Sequence, residues 1–181
     1  VLLNIHAGWV VFDTINADES DRILALLQDT FADFSPARLG ATDVAERLTR
    51  WVSNHSIDGT FALDEDCVMV SKMDKRNALR MSAQDLSSEE VKSALNAGKR
   101  VHKLGMIWKE RMSFMVDEDL NLNRMRLKES LNEDEIELGE NLSEMEKLAR
   151  DFLLVAPYYQ QLLADFFTLF EVKVPETTHA E

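Results

Sequence analysis

Between Gln84 and Lys128 the spacing of apolar residues switches from a helical period to a strand period. That switch limits the chain to folds in which a helix feeds an antiparallel sheet. Ser87 is placed to cap the helix, with Glu90 three residues later completing a capping box. Val91, Ala94 and Leu95 form its apolar stripe, and Gly98 stands where a left-handed residue ends it. Alternation then puts His102, Leu104, Met106 and Trp108 on one face of a strand and Val101, Lys103, Gly105 and Ile107 on the other. Lys109-Glu110 makes a turn. Met112, Phe114 and Val116 alternate with Ser113 and Met115 in a second strand. After Asp117-Glu118-Asp119, a third strand over 120–127 sets Asn121, Asn123, Met125 and Leu127 against Leu120, Leu122, Arg124 and Arg126. Turns this short join antiparallel neighbours, so the three strands form a meander.

Charge singles out the same stretch. Residues 99–128 hold eight basic side chains (Lys99, Arg100, Lys103, Lys109, Arg111, Arg124, Arg126, Lys128) against four acidic ones, in a chain of net charge -13. Two readings follow. A basic sheet between acidic flanks is an electrostatic footprint for phosphates. Lysine and arginine also serve simply to solvate the open face of an antiparallel sheet. The overall acidity argues against polyanion binding by the whole surface, and it would confine such binding to one face.

Upstream, residues 1–5 and 9–15 read as strands about an Ala7-Gly8 turn. Asp18 or Ser20 can cap the helix that carries Ile23, Leu26, Leu27 and Phe31. Thr42 or Asp43 can cap a second helix whose Val44, Leu48 and Trp51 face inward. Residues 61–70 are strand-like around an acidic turn at 64–66. Strands 68–70 and 78–81 pair across a basic tip with Lys72, Lys75 and Arg76, followed by Arg80. Downstream, residues 131–146 hold seven acidic side chains and read as a solvated linker into a helix. Residues 152–170 are apolar and interrupted at Pro157. Leu162, Leu163, Phe166, Phe167 and Phe170 offer a wide face for the core or a subunit contact. Residues 174–181 read as a frayed tail. The sections are 1–60, a β-β-α-type subdomain; 61–130, hairpin, helix and basic meander; and 131–181, acidic linker and helical segment. The fold class is α+β, antiparallel sheets with packed helices.

No motif for chemistry emerges. His6, His55, His102 and His179 lie far apart, without partners at metal-ligand spacing. There is no phosphate-binding glycine loop and no nucleophile elbow. The single cysteine, Cys67, excludes an internal disulfide. No stretch reaches the roughly 18 apolar residues of a membrane helix. No cofactor or metal is expected.

The run Gln84-Asp85-Leu86-Ser87-Ser88-Glu89-Glu90, then Ala97-Gly98-Lys99, Lys103-Leu104, Trp108, Arg111 and Phe114, resembles the RdgC family of bacterial recombination-associated DNA-binding proteins in order and spacing. Gly8-Trp9-Val10-Val11-Phe12-Asp13, Leu48-Thr49-Arg50-Trp51-Val52 and Phe61-Ala62-Leu63-Asp64-Glu65 extend it upstream. Arg124 to Leu127 and Asp151-Phe152-Leu153-Leu154 extend it downstream. It covers most of residues 8–165 and the C-terminal part of the family's length, so an N-terminal part is expected outside this chain. The resemblance implies a subunit that pairs into a ring-shaped homodimer around double-stranded DNA. It implies binding without regard to sequence, cytoplasmic and nucleoid-associated, limiting access of the RecA recombinase. The candidate DNA-binding residues are Lys75, Arg76, Arg80, Gln84, Lys99, Arg100, Lys103, Arg124 and Arg126. Two departures stand out. Ser82 and Ala83 occupy the place before Gln84 where the family tends to carry lysine, and Val155-Ala156-Pro157-Tyr158-Tyr159 replaces a Met-Thr-Gly-Glu-Leu-like run. The alternatives are an acidic protein-interaction module on the same fold, or a metal-dependent exonuclease. The second needs clustered carboxylates around a cation, and the densest acidic run lies outside the strongest match.

Overall fold

A computed structural model of the chain describes residues 1–57, 59–74, 76–127 and 143–172. Lys75, Lys128, most of the acidic run and the tail at 174–181 lie outside the described residues. The chain is α+β. Its contacts divide it into two units, the first ending at Leu39 and the second beginning at Gly40.

The first unit pairs β1 (Leu2–Asn4) antiparallel with β2 (Trp9–Val11) and continues into α1 (Ala17–Thr30). The cap of α1 is Asn16, whose side chain accepts the Asp18 N–H, rather than Asp18 or Ser20. Asparagine accepts that bond from outside the helix as well as aspartate does, and it leaves Asp18 and Glu19 in the first turn, where the helix dipole favours them.

The second unit is a five-stranded antiparallel sheet in the order β4-β3-β5-β6-β7. Its strands are β3 (Phe61–Ser71), β4 (Ala78–Met81), β5 (Lys99–Trp108), β6 (Met112–Asp117) and β7 (Leu122–Leu127). The hairpin pairs Val68 with Arg80 and Val70 with Ala78, and the meander forms as the spacing requires. Three helices contribute to the core on one face: α2 (Val44–Asn54), α3 (Glu89–Asn96) and α4 (Glu144–Phe170). Asp43 precedes α2 in a left-handed conformation without a side-chain cap bond. Ser88, not Ser87, precedes α3. The Ser87 hydroxyl turns back to Asp85, and Glu90 accepts the Gln84 side chain instead of closing a capping box. Gly98 ends α3 at φ 79°, as its lack of a side chain permits.

Strict alternation fails at three places, each a bulge. On β5, Met69 faces Val101 while Val68 faces Lys103, so His102 is the extra residue. Val101 therefore joins Leu104, Met106 and Trp108 in the core, while His102 lies with Lys103 at a depression on the other face. The Val101 N–H donates to the Thr49 hydroxyl of α2 at 2.9 Å. On β7, Met115 faces Asn123 while Ser113 faces Arg126, and Arg124 takes a left-handed φ of 53°. Leu122, Met125 and Leu127 thus all pack on the core, and Arg124 and Arg126 stay together on the opposite side. The acidic 64–66 segment is a register shift inside one continuous β3, not a turn.

The core is aromatic. Phe114 meets Phe61 and Phe166 edge-on at 6.4 Å, Phe166 meets Phe170 at 4.6 Å, and Phe170 meets Trp51 of α2 at 5.3 Å. Leu162, Phe166 and Phe170 are thus spent on the core, correcting the expectation that their face could serve a subunit contact. The helix also runs through Pro157 rather than breaking there. One backbone bond is lost in the middle of 27 residues, and the Ser143–Glu146 capping box and the buried second half hold the rest.

Asp165 fastens α4 to the sheet. Its carboxylate accepts the Trp108 indole N–H at 2.8 Å and the Thr60 hydroxyl at 3.3 Å, and Lys109 lies 3.0 Å away. Burial raises this carboxyl's pKa, but the hydrogen bonds from Trp108, Lys109 and Thr60 outweigh it, and the group titrates below the ordinary aspartate value. Trp108 is fully buried, so Asp165→Ala should cost about 1–3 kcal/mol in urea melts by stranding the indole donor. A depressed carboxyl stabilises fully above its unfolded value of about 3.9 and loses that contribution as pH falls through the folded value. Asp165→Asn should accordingly flatten the acid limb of the stability curve. Gly105 of β5 lies tight against the β3 bulge. A Cβ there would lie 3.0 Å from both the Asp66 carbonyl oxygen and the Asp64 Cβ. Gly105→Ala should lower stability by about 1–3 kcal/mol, because backbone cannot yield as a flexible side chain does.

Candidate nucleic-acid interface

The face of the sheet opposite the core collects cations from three strands. Arg80 of β4, Lys103 of β5 and Arg124 of β7 line one depression of about 510 Å³, together with His102, Asp66 and an apolar floor that includes Val68 and Val70. Arg124 also borders a smaller depression of about 90 Å³ with Arg126, Asp64, Asp66 and Ser113. Arg100 pairs with Val70 in register and so belongs to this face. These positions follow from the bulges, which let core residues crowd one side while the basic ones stay on the other.

Carboxylates are interleaved with the cations. Lys103 lies 3.6 Å from Asp117, its register partner on β6. Asp117 also holds the β6–β7 turn, accepting the Asp119 and Asn121 N–H groups. Arg100 and His102 share Glu118, at 3.5 and 3.4 Å. Arg124 stands 3.9 Å from Asp66. Of these, only the Arg124–Asp66 pair is well exposed, so it is individually weak and a phosphate can exchange for its carboxylate, whereas Asp117 and Glu118 are largely buried. Among the described residues, Arg80 and Arg126 pair with no carboxylate. The carboxylates of this face were not singled out from sequence. The signal was present, since Asp64, Asp66 and Val68 alternate, but reading 64–66 as a turn hid it.

The remaining candidates sit elsewhere. Arg76 is at the exposed hairpin tip, paired with Asp74 at 3.3 Å. Lys99 is bound to Asn77, at 2.7 Å to the side-chain oxygen, and ties the tip to β5. The Gln84 side chain donates to Glu90 at 2.9 Å. Lys75 lies outside the described residues. Among the described residues no three His, Cys, Asp or Glu side chains are grouped to hold a metal ion. Cys67 is fully buried, and burial pushes its thiol up to about 12. No helix among the described residues is long and apolar enough to cross a membrane.

A family model described as "Putative exonuclease, RdgC" matches residues 1–173. A recombination-associated protein RdgC of Laribacter hongkongensis is 34% identical over 142 residues, 77% of this chain and 46% of that protein. The protein of the same name from Pseudoalteromonas translucida is 31% identical over 159 residues, 87% of this chain and 52% of that protein. That of Halorhodospira halophila is 29% identical over 157 residues, 84% of this chain and 51% of that protein. The chain spans about half the length of these curated relatives. With nearly its whole length matched, the chain belongs to the RdgC family of recombination-associated proteins.

Proposed function

We propose that this chain binds double-stranded DNA without regard to sequence, through the open face of its sheet, as part of a ring-shaped homodimer. In that state it limits access of the RecA recombinase to nucleoid DNA in the cytoplasm. The observation that carries the reading is the convergence of Arg80, Lys103, Arg124 and Arg126 from three strands on one accessible face. Arginine and lysine on a sheet surface neutralise phosphates without reading bases, and the curated relatives' names as recombination-associated proteins favour a DNA partner. The reading asks for binding and no bond-breaking step. The acidity of the rest of the chain repels phosphates and so directs DNA to this face.

If Arg80, Arg100, Lys103, Arg124 and Arg126 neutralise about five phosphates, log K should fall with log salt at a slope of about -4.5. Charge reversal at Arg124 and Arg126 together should weaken binding to all duplexes alike and flatten the slope by about two units. Unchanged affinity and slope in that double variant would remove the site from this face. Light scattering of the full natural protein at micromolar concentration should give a dimer mass, and a monomer would refute the ring. The rival reading, a protein-interaction module on the same fold, rests on the exposed apolar residues Met145, Leu148, Phe152 and Leu153 in the first half of α4. It becomes the better account if wild type binds no duplex even at low salt.

A further inference from the structure

At the centre of the open face, one carboxylate gathers donors from two other parts of the chain. Asp66 Oδ1 accepts the Ser82 hydroxyl at 2.6 Å and the Ala83 backbone N–H at 3.2 Å, and Oδ2 lies 3.9 Å from the Arg124 guanidinium. Ser82 and Ala83 belong to the connection after β4, and Arg124 to β7. A hydroxyl and a main-chain N–H on one oxygen, with a guanidinium within ion-pair distance of the other, are the groups that hold a phosphate. A carboxylate presents the same two-oxygen acceptor and the same single charge as a phosphodiester.

We propose that Ser82, Ala83 and Arg124 form a phosphate-binding cradle which the protein's own Asp66 side chain fills. The position is open to solvent: the Asp66 side chain is 31% exposed and that of Arg124 is 69% exposed. An incoming phosphate takes over the two hydrogen bonds and the ion pair, and the displaced carboxylate returns to water. The exchange keeps every donor satisfied, so it opposes binding only through the charge of the expelled Asp66. Asp66 is in this sense an internal competitor for anions at the face where DNA is proposed to bind. The part of the inference that concerns DNA rests on that reading, and the cradle itself does not.

Asp64 supplies the control. It carries the same charge beside the same small depression, yet the one hydrogen bond its carboxylate accepts is from the Glu65 N–H, at 2.9 Å. Asp64→Asn therefore removes an equal charge without opening the cradle.

The test titrates inorganic phosphate into wild type, Asp66→Ala, Asp66→Asn and Asp64→Asn, following the Ala83 amide in 1H–15N spectra. The expected result is a saturable Ala83 shift at millimolar phosphate in both Asp66 variants, absent in wild type and in Asp64→Asn. Adding Ser82→Ala to Asp66→Ala should weaken it. Asp66→Asn leaves a neutral, weaker acceptor in the cradle that a charged phosphate oxygen displaces, and it serves if the alanine variant does not fold. No Ala83 shift in a folded Asp66 variant overturns the cradle, whatever DNA does. In parallel, Asp66→Asn should raise duplex affinity at low salt at least fivefold more than Asp64→Asn. Equal gains would reduce Asp66 to one charge among several and overturn the competition. A phosphate shift with no duplex binding by any variant would uphold the cradle and sink the DNA reading instead.

Discussion

Trp108, Phe114, Phe166 and Phe170 are each at most 2% exposed, and the Phe114–Phe166 contact joins the sheet to α4. Large aromatic surfaces buried edge to face supply much of the driving force for a unit of this size. An antiparallel sheet can keep one face on the core and leave the other toward solvent. The aromatic core takes up one face and leaves the other available for a functional surface. Asp165 completes the arrangement, because the buried indole of Trp108 needs an acceptor and α4 brings one to it. At the far end of the helix, Arg47 of α2 donates to the Leu169 carbonyl and pairs with Glu171. The Arg47 guanidinium holds the Glu171 carboxyl below the usual glutamate range.

The bulges reconcile two demands on the same strands. β5 and β7 must each present apolar side chains to the core and basic ones to solvent, and neither sequence alternates perfectly. One extra residue resets the phase. On β5 it moves Val101 inward, and on β7 it lets Leu122 and Met125 both face the core with Arg124 outside. An N–H freed from the ladder needs a new acceptor. The Thr49 hydroxyl provides it for Val101 and itself donates to the Ala45 carbonyl of α2. Helix and sheet are thus coupled at the point where the open face gains His102.

The open face is more evenly charged than the count of lysines and arginines suggests. Asp66, Asp117 and Glu118 stand within ion-pair distance of Arg124, Lys103 and Arg100. Such a surface keeps its cations oriented without a ligand and exchanges internal acceptors for external ones on binding. On the proposed DNA reading, binding would exchange one set of ion pairs for another, so it should depend on salt and on single carboxylates. A uniformly positive face would bind more tightly and discriminate less between polyanions.

The sequence by itself determined the helix-to-meander order, the hairpin at 68–81, the Gly98 helix end and the family, because each rests on local period, turn chemistry or ordered motifs. It also placed Arg124 and Arg126 on one side of a strand. Only the tertiary structure decided what shares that side. Bulges arise where packing across strands overrides alternation, so Val101, His102 and Leu122 could not be assigned from parity alone. Pro157 reads as a helix break locally, yet the buried second half of α4 carries the helix through it. The pairing of Asp66 with Ser82, Ala83 and Arg124 joins residues up to 58 positions apart. No local pattern encodes a contact of that range, because it depends on the register of three strands at once.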